Sequence, residues 1–325
     1  MENLTLFGKP DKNIRELLKQ YFDYQRTECN ASPHTLVNYE IDLRHWLKFL
    51  MVHHGTQDLF EQLSNLKTLR SFLSSQSKRC SRATICRRLS AIKGFLKFLH
   101  REGYLEKNIA KCLAQPKLPQ KLPLVLKPEE MIRLIEDLPN GTLPGKRTRA
   151  ILELLYSTGI RLSELVGLNQ EHADLRKGQI LVLGKGRKER VVPMGRHCQK
   201  AISDYIGAMP AAHQRGAKTP LFLNRDGERL SGRTIQRYLK RFATEILGER
   251  GLTVSPHTFR HSCATHLLGA GAGLREIQEF LGHRSLTTTQ KYTQVDRRRL
   301  KAAYERAHPR ERTRREKEQE EVSNG

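Results

Sequence analysis

The sequence predicts a mainly α-helical protein with a small β-sheet, divided into two domains. Its length of 325 residues suggests two domains at the usual ~100–200 residues each, and 38% of the residues are hydrophobic, enough to give each domain a core. Apolar residues recur at helical spacing through most of the chain. Only one short region, after residue 178, changes to the composition of strands.

The first third of the chain is predicted to be all-helical. Helical spacing of apolar residues marks residues 12–28, 34–53, 60–76 and 82–101. The segment AQPKLPQKLPLVLKPEE then contains four prolines without any periodicity, which indicates an extended, charged linker. We therefore expect an N-terminal helical domain over 1–113 and a linker over 114–127.

The second domain is predicted over residues 128–309, with a charged, disordered tail over 310–325. Its first helices, 128–138 and 145–157, lead to the stop signal Thr158-Gly159, after which RLSELVGL restarts a helix. The runs QILVL and ERVVP predict two strands of a hairpin joined by residues 184–188. Four further helices are predicted over 231–247, 257–270, 274–281 and 285–293.

The charge balance narrows the class of partner. Lys and Arg number 58 against 34 Asp and Glu, a net charge of +24, which is self-repelling and points to a polyanion. No run approaches the ~18 apolar residues of a membrane span, and the N-terminus lacks a signal peptide's apolar region. We expect a cytoplasmic, DNA-binding protein without a membrane contact. The six cysteines form no CxxC pair and are expected to be reduced and mostly structural.

Several basic and aromatic residues could carry chemistry. His257 and Arg260 are three positions apart, which places them on one helix face with Phe259 turned into the core. Arg161 opens a helix, where a phosphate is favoured, and Glu164 could orient its guanidinium. Taken singly, each of these residues could equally be an ordinary surface side chain.

Three more candidates follow along the chain. Lys185 lies between two glycines at the hairpin tip, so its ammonium could approach a ligand closely. His283 is predicted at a junction between helices, after the stop residue Gly282. Tyr292 is predicted in the helix that follows, 285–293. The usual roles of such residues are solvent exposure for a turn lysine and partial burial for a helix tyrosine.

Together these motifs resemble the tyrosine recombinase (phage integrase) family. The ordered set TGIRLSEL, GKGRKERVVP, PHTFRHSCATHLL and LGHRSLTTTQKYTQV is most similar to its bacterial Xer branch, and the ending KAAYERAHPRER is more similar to the XerC than the XerD type. All six positions of the family's catalytic pattern are filled, in order, by Arg161, Lys185, His257, Arg260, His283 and Tyr292. The resemblance implies a SAM-like core-binding domain in front of an α+β catalytic domain.

The family assigns a role to each of these residues. Tyr292 would be the nucleophile that forms a 3′-phosphotyrosyl bond, and Arg161 and Arg260 would hold the phosphate oxygens. Lys185 would protonate the leaving 5′-oxygen, with Lys188 as a rival acid. His257 would relay the phenol proton and His283 would hydrogen-bond a phosphate oxygen.

The resemblance implies no cofactor. His257, His261 and His266 lie near one another in sequence, and an i, i+4 histidine pair could chelate zinc. However, HTFRH is not HExxH, and the intervening arginine would repel a cation. We therefore expect no metal site.

DNA is the expected partner, held partly by basic residues of the last N-terminal helix, Arg82, Arg87, Arg88 and Lys93. The resemblance implies that the protein acts on a dif-like site as a homo-tetramer, or as a hetero-tetramer with a second Xer-type recombinase. Residues 294–309 would pack on a neighbouring subunit. A septal DNA translocase is a further expected partner. Chromosome dimer resolution is the expected role. An integrase of a mobile element, a relaxing topoisomerase-like enzyme and a non-cutting DNA-binding protein of the same fold are the alternatives.

Overall fold

The computed structural model describes residues 14–54, 59–114, 124–184, 189–213, 218–282 and 302–311. The chain divides into two compact units, an N-terminal unit of Met1–Lys121 and a C-terminal unit of Leu122–Gly325. This division lies inside the segment that the sequence analysis assigns to a linker. Each unit has its own hydrophobic core.

The N-terminal unit is all-helical in its described part, as predicted. Its helices are α1 (Ile14–Thr27), α2 (Pro33–His54), α3 (Leu59–Leu63), α4 (Leu66–Ser77) and α5 (Arg82–Arg101), followed by a 3-10 turn, Ile109–Cys112. Trp46 is fully buried among them. The single helix predicted over 60–76 was wrong: the Asn65 side chain accepts the N–H groups of Lys67 and Thr68, so a new helix begins there.

The C-terminal unit surrounds a small sheet with helices. These are α6 (Pro128–Glu136), α7 (Leu143–Thr158), α8 (Leu162–Val166), α9 (Arg196–Gly207), α10 (Gly232–Leu247), α11 (Pro256–Gly269) and α12 (Leu274–Leu281), with 3-10 turns at Gln170–His172, Ala211–His213 and Gly248–Thr253. Helix α9 was missed in the sequence, although its buried residues have helical spacing: Cys198, Ala201, Ile202 and Tyr205.

The sheet contains β1 (Ala173–Asp174), β2 (Gln179–Leu183) and β3 (Glu189–Pro193), antiparallel and in that order. Leu183 pairs with Glu189, so the predicted hairpin between the second and third strands is confirmed. The sequence analysis did not predict β1, whose two residues are too short for a periodic signal. Alternation turns one face of the hairpin into the core, with Val182 and Val192 buried.

Helix α7 lies at the centre of the C-terminal unit and is buried along most of its length. It ends where predicted, because Gly159 has a left-handed φ of 57° and donates its N–H to the carbonyl of Leu155. A β-carbon there would lie 2.6 Å from the side chain of Leu281. The left-handed turn therefore favours glycine at this position, and a β-carbon would also displace the end of the Leu281 side chain.

The described C-terminal segment, residues 302–311, packs on its own unit. The hydroxyls of Tyr304 and Ser157 lie 2.6 Å apart, and the buried Arg310 forms ion pairs with Glu153 and Glu136. Glu311 accepts the N–H of Arg196 at the start of α9. Arg310 and Glu311 are therefore part of the packed unit, although the sequence analysis assigned them to a disordered tail. Residues 312–325 lie outside the described residues.

The segment that enters the C-terminal unit is hydrogen-bonded to α11. The N–H of Leu126 donates to the hydroxyl of Ser262 at 3.0 Å. The carbonyl of Leu126 lies 2.9 Å from Nε2 of His266, whose other ring nitrogen lies 2.9 Å from the hydroxyl of Tyr156. Both backbone groups of one residue are thus fixed to the same helix.

No helix in the described part of the chain is long and apolar enough to cross a membrane. All six cysteines are free thiols. Three of them, Cys86, Cys198 and Cys263, are buried in the cores. A structural role agrees with the placement of these three, whereas Cys29 and Cys112 are exposed.

Candidate active site

Arg161 lies three residues beyond the end of α7 and opens α8. Its backbone is extended, with φ −74° and ψ 152°, and its side chain is 40% exposed. One guanidinium nitrogen, NH1, donates to Oε1 of Glu164 at 3.0 Å, and the Arg161 backbone N–H donates to Oε2 at 2.8 Å. The carboxylate therefore orients Arg161, as predicted from the sequence, while a large part of the guanidinium faces solvent.

Glu164 is buried, with 7% of its surface exposed. It accepts two further hydrogen bonds of 2.9 Å from the guanidinium of Arg190 on β3. Burial acts to raise the pKa of Glu164, but the hydrogen bonds from Arg190 and Arg161 outweigh it, and the pKa lies below its ordinary value. Glu164 is thus a carboxylate at neutral pH and the central anion of the site.

Arg260 connects the ends of two helices. It is 8% exposed, and its guanidinium donates to the carbonyl of Gly159 at 2.6 Å and to that of Leu281 at 2.7 Å. Burial, reinforced by the nearby Arg161 cation, lowers the pKa of Arg260 to about 10. Arg260 stays protonated at neutral pH. The negative ends of α7 and α12 both favour a cation at this place.

His257 is on the same helix as Arg260, in the first turn of α11. It is exposed, whereas Phe259 is fully buried, as predicted. The hydroxyl of Ser255 caps the helix by accepting the N–H of Thr258. A capped helix start thus fixes the backbone from which His257 and Arg260 project.

The structure brings Arg161, Glu164 and Arg260 together around Gly159. Three other predicted site residues, Lys185, His283 and Tyr292, lie outside the described residues, as does the rival acid Lys188. Their flanks are described: the hairpin strands pair up to Leu183 and Glu189, and α12 ends at Leu281. The roles of these four residues remain predictions.

The comparison with family models identifies the chain. The model described as "Phage integrase family" matches residues 125–299. A second one, "Phage integrase, N-terminal SAM-like domain", matches residues 18–103.

The chain belongs to the phage integrase family.

Curated members of the family align over nearly the whole chain. "Tyrosine recombinase XerC" of Myxococcus xanthus is 42% identical over 304 residues, covering 92% of this chain and 99% of the relative. "Tyrosine recombinase XerC" of Syntrophus aciditrophicus is 40% identical over 308 residues, covering 91% of this chain and 98% of the relative. The expected family and its XerC-like character are confirmed.

Solved structures of integrases share the fold. The Tn1549 transposon integrase in complex with a circular intermediate DNA has a TM-score of 0.64 at 17% identity, over 87% of this chain and 97% of that one. A lambda integrase dimer bound to a COC′ core site has a TM-score of 0.62 at 17% identity, over 87% of this chain and 99% of that one. The predicted fold class, mainly α with a small sheet, is confirmed.

The four basic residues proposed to hold DNA have different surroundings on α5 of this integrase-family chain. Arg82 is exposed in the first turn. Arg87 forms an ion pair of 2.6 Å with Asp42 and is 36% exposed. Lys93 is hydrogen-bonded to the carbonyl of Leu113. Arg82 and Arg87 thus retain exposed surface.

Arg88 differs from the expectation of an exposed basic face. It is buried, with its Nε donating to Asp42 at 3.2 Å and its NH1 bonded to Gln76. Burial acts to raise the pKa of Asp42 even though both arginines oppose it. In this arrangement Arg88 cross-links α2, α4 and α5 instead of facing solvent, because a buried carboxylate needs a cation.

The histidines of α11 have separate surroundings. His261 is exposed, while His266 is bonded to Leu126 and Tyr156. Within the described ranges, no group of three His, Cys, Asp or Glu residues is placed to hold a metal ion. Arg190 is the member of the cluster around Glu164 that the sequence analysis did not single out. Its signal was the alternation of β3, which places Arg190 on the same inward face as Val192.

Proposed function

We propose that this tyrosine recombinase cuts and rejoins double-stranded DNA at a specific site, with Tyr292 as nucleophile. The observation that carries the proposal is the convergence of Arg161 and Arg260 on Gly159, because Arg260 binds the Gly159 carbonyl and Arg161 follows two residues later. Two fixed guanidinium groups near one point suit the two non-bridging oxygens of a phosphodiester.

Tyr292 would attack the scissile phosphorus with its phenolic oxygen. The new O–P bond forms as the bond from phosphorus to the 5′-oxygen breaks, and the phosphate stays on the 3′ side, attached to Tyr292. The phenol proton passes to His257 and Lys185 gives a proton to the 5′-oxygen. A 5′-hydroxyl of the partner strand reverses these steps, so the bond energy is conserved without ATP.

Charge neutralisation is the task of the arginines. The pentacoordinate transition state carries more negative charge on its equatorial oxygens than the diester does. Arg161 and Arg260, with His283 as a further donor, would stabilise that charge. Their anchorage to Glu164 and to two helix ends holds them in place before DNA binds, so no reorganisation is needed during the reaction.

We assign the N-terminal helical domain, 1–113, to DNA core binding and 128–309 to catalysis, joined by the linker 114–127. A lambda integrase of the same fold is a tetramer bound to a Holliday junction. By extension, four copies, or two of this chain and two of a second Xer-type recombinase, act on a dif-like site. Chromosome dimer resolution is the proposed role, consistent with relatives named tyrosine recombinase XerC. The family resemblance alone suggests a septal DNA translocase as a further partner.

The decisive experiment looks for covalent adducts. Wild-type protein is mixed with fragments of its host genome and treated with SDS, and resistant protein–DNA adducts are mapped. Tyr292→Phe should form none, whereas the control Tyr238→Phe, a ring-preserving change on α10 at a tyrosine that stacks with Arg147, should form as many as wild type. Adducts at one chromosomal locus support dimer resolution, and adducts at an element boundary indicate a mobile-element integrase. Specific binding of fragments with no adduct, even with a second recombinase added, would overturn the proposal.

A further inference from the structure

Arg190 occupies a position in β3 where a strand of this kind places an apolar residue. It pairs with Val182 across the hairpin and shares its face with Val192, and both valines are fully buried. Only 8% of the Arg190 side chain is exposed. A guanidinium in such a place must be compensated, because burying an unpaired cation is costly.

Glu164 supplies that compensation with good geometry. The two terminal nitrogens of Arg190 each donate to a different oxygen of Glu164 at 2.9 Å, a bidentate pair. The third nitrogen, Nε, is buried and has no acceptor among the described residues. Both terminal nitrogens of Arg190 are thus engaged by Glu164.

Arg190 and Arg161 share the same carboxylate. Oε1 accepts from Nη1 of both arginines, and Oε2 accepts from Nη2 of Arg190 and from the Arg161 backbone N–H. Arg161 therefore uses one guanidinium nitrogen on Glu164 and keeps the others. If Arg190 were absent, Glu164 would have a free acceptor site on each oxygen, and a second nitrogen of Arg161 would turn towards it.

The same residue also supports the turn before His283. Gly282, with φ 68°, ends α12, and a β-carbon on it would lie 3.1 Å from Nε and Cζ of Arg190. The flat guanidinium thus lies against the backbone of Gly282. One side chain contacts both the anchor of Arg161 and the residue that precedes His283.

The net charge of the residues around Glu164 suits a negatively charged phosphodiester. Arg161, Arg190 and Arg260 with Glu164 give a cluster of net charge +2, all four within electrostatic reach of one another. A phosphodiester carries one negative charge and gains charge on the way to the pentacoordinate state. Without Arg190 the cluster would carry only +1.

We propose that Arg190 is a positioning residue of the recombinase site, which binds Glu164 so that Arg161 keeps its guanidinium edge open for the scissile phosphate. The inference rests on the proposed function for its catalytic consequence. Its structural part, the division of Glu164 between two arginines, is independent of any activity.

The kinetic test uses single-turnover formation of the covalent adduct on the site mapped with the wild type. Arg190→Met, which keeps the bulk of the side chain, should slow cleavage about 10²-fold, the usual effect of displacing a group from its reactive geometry. Arg190→Lys should recover part of the rate, since it restores the charge but only one hydrogen bond. The control Arg147→Met removes another buried arginine of this unit, one that donates to the Leu223 carbonyl, and should cleave normally.

Two readouts separate positioning from a general loss of stability. In an Arg161→Ala background, Arg190→Met should add little further loss, because its effect acts through Arg161. On a DNA whose scissile phosphate is a neutral methylphosphonate, the defects of Arg161→Ala and Arg190→Met should both shrink. The proposal would be overturned if Arg190→Met slowed cleavage by its full amount both in the Arg161→Ala background and on the methylphosphonate DNA.

A crystal structure of Arg190→Met decides the structural part. We expect Arg161 to pair with Glu164 through two guanidinium nitrogens. An Arg161 side chain unchanged from its single 3.0 Å contact would overturn the inference, even in a protein that forms no adduct. Absence of adducts with the wild type would overturn the proposed function alone.

Discussion

Glu164 accepts four hydrogen bonds from two arginines in a buried setting. Changing it to Gln keeps the shape but leaves the buried Arg190 cation without an anion. We expect Glu164→Gln to lose about 3–5 kcal/mol of unfolding free energy from the C-terminal unit. Urea denaturation followed by circular dichroism measures the loss. The single tryptophan, Trp46, is in the N-terminal unit, so its fluorescence transition should not move.

The same carboxylate should make stability depend on acid pH. Its folded-state pKa lies below the ordinary value of 4.5, so below that pH the unfolded chain binds the proton first. The stabilisation by Glu164 is complete above about pH 4.5 and is lost as the pH falls through the folded-state pKa. Glu164→Gln should lack this component. Parallel acid-unfolding curves for the two proteins would contradict the assignment.

Lys185 carries the acid role in the proposed mechanism, and a change of leaving group tests it. Lys185→Ala should slow cleavage of ordinary DNA far more than cleavage of DNA with a 5′-bridging sulfur, because a thiolate leaves without a proton. Lys188→Ala is the matched variant from the same loop, and it should slow neither substrate selectively. Equal slowing by Lys185→Ala on both substrates would remove Lys185 from this role.

Part of the candidate site could be predicted from the sequence. The spacing of three residues from Arg161 identified Glu164 as its orienting partner, because such a contact is local. Arg190 is 26 residues from Glu164, and their contact depends on how the hairpin packs on α8. Such a contact is set by tertiary structure, although the inward position of Arg190 is readable from the alternation of β3.

The C-terminal segment is held on α7 by buried polar groups. His308 is fully buried, lies with its ring 4.7 Å from that of Tyr156 and 4.8 Å from that of Tyr304, and has its Nε2 3.3 Å from the Tyr156 carbonyl. Burial, aided by neighbouring cations, lowers the pKa of His308 to about 3. The segment is therefore docked with a neutral imidazole.

Acid should weaken this docking. Because the folded-state pKa of about 3 lies below the ordinary 6.5, protonation favours the unfolded state as the pH falls below 6.5. From pH 7 to 5 this amounts to about 2 kcal/mol. Burial raises the pKa of both Glu153 and Glu311. Their protonation therefore favours the folded state as the pH falls, which opposes the effect of His308.

The contribution of His308 is isolated by comparing wild type with His308→Gln in urea denaturation at both pH values. The variant should lose less stability than wild type between pH 7 and pH 5. His261→Gln, a change of an exposed histidine on α11, should behave as wild type. Identical pH dependence in wild type and His308→Gln would show that His308 is not the group responsible.

Elements with strong local signals were predictable. Helix α12 has the predicted bounds, and the hairpin has the predicted strands, because periodicity and the flanking glycines are encoded locally. The break at Asn65 was not, since the apolar spacing continues through it and only the side-chain cap shows it. The packing of residues 302–311 depends on ion pairs with distant helices, which no periodicity reveals.

For the whole molecule, the net charge of +24 predicts salt-sensitive DNA binding. Log K should fall by about 0.9 per phosphate neutralised for each tenfold rise in salt. Arg82→Ala, at an exposed position of α5, should reduce the slope by about 1 if it contacts a phosphate. Arg133→Ala removes an exposed arginine that is already paired with Asp137, and this variant should leave the salt slope unchanged. A flat salt dependence for the wild type would contradict the electrostatic binding of DNA.

The attachment of Leu126 to α11 also fixes where the chain enters the C-terminal unit. Ser262 and His266 hold both backbone groups of Leu126, a residue that is fully buried. The first described residues of this unit, 124–126, are therefore anchored on the helix that carries His257 and Arg260. A substitution that removes either hydrogen bond would leave a buried backbone group of Leu126 without its partner, so it would act on the same helix as these two predicted site residues.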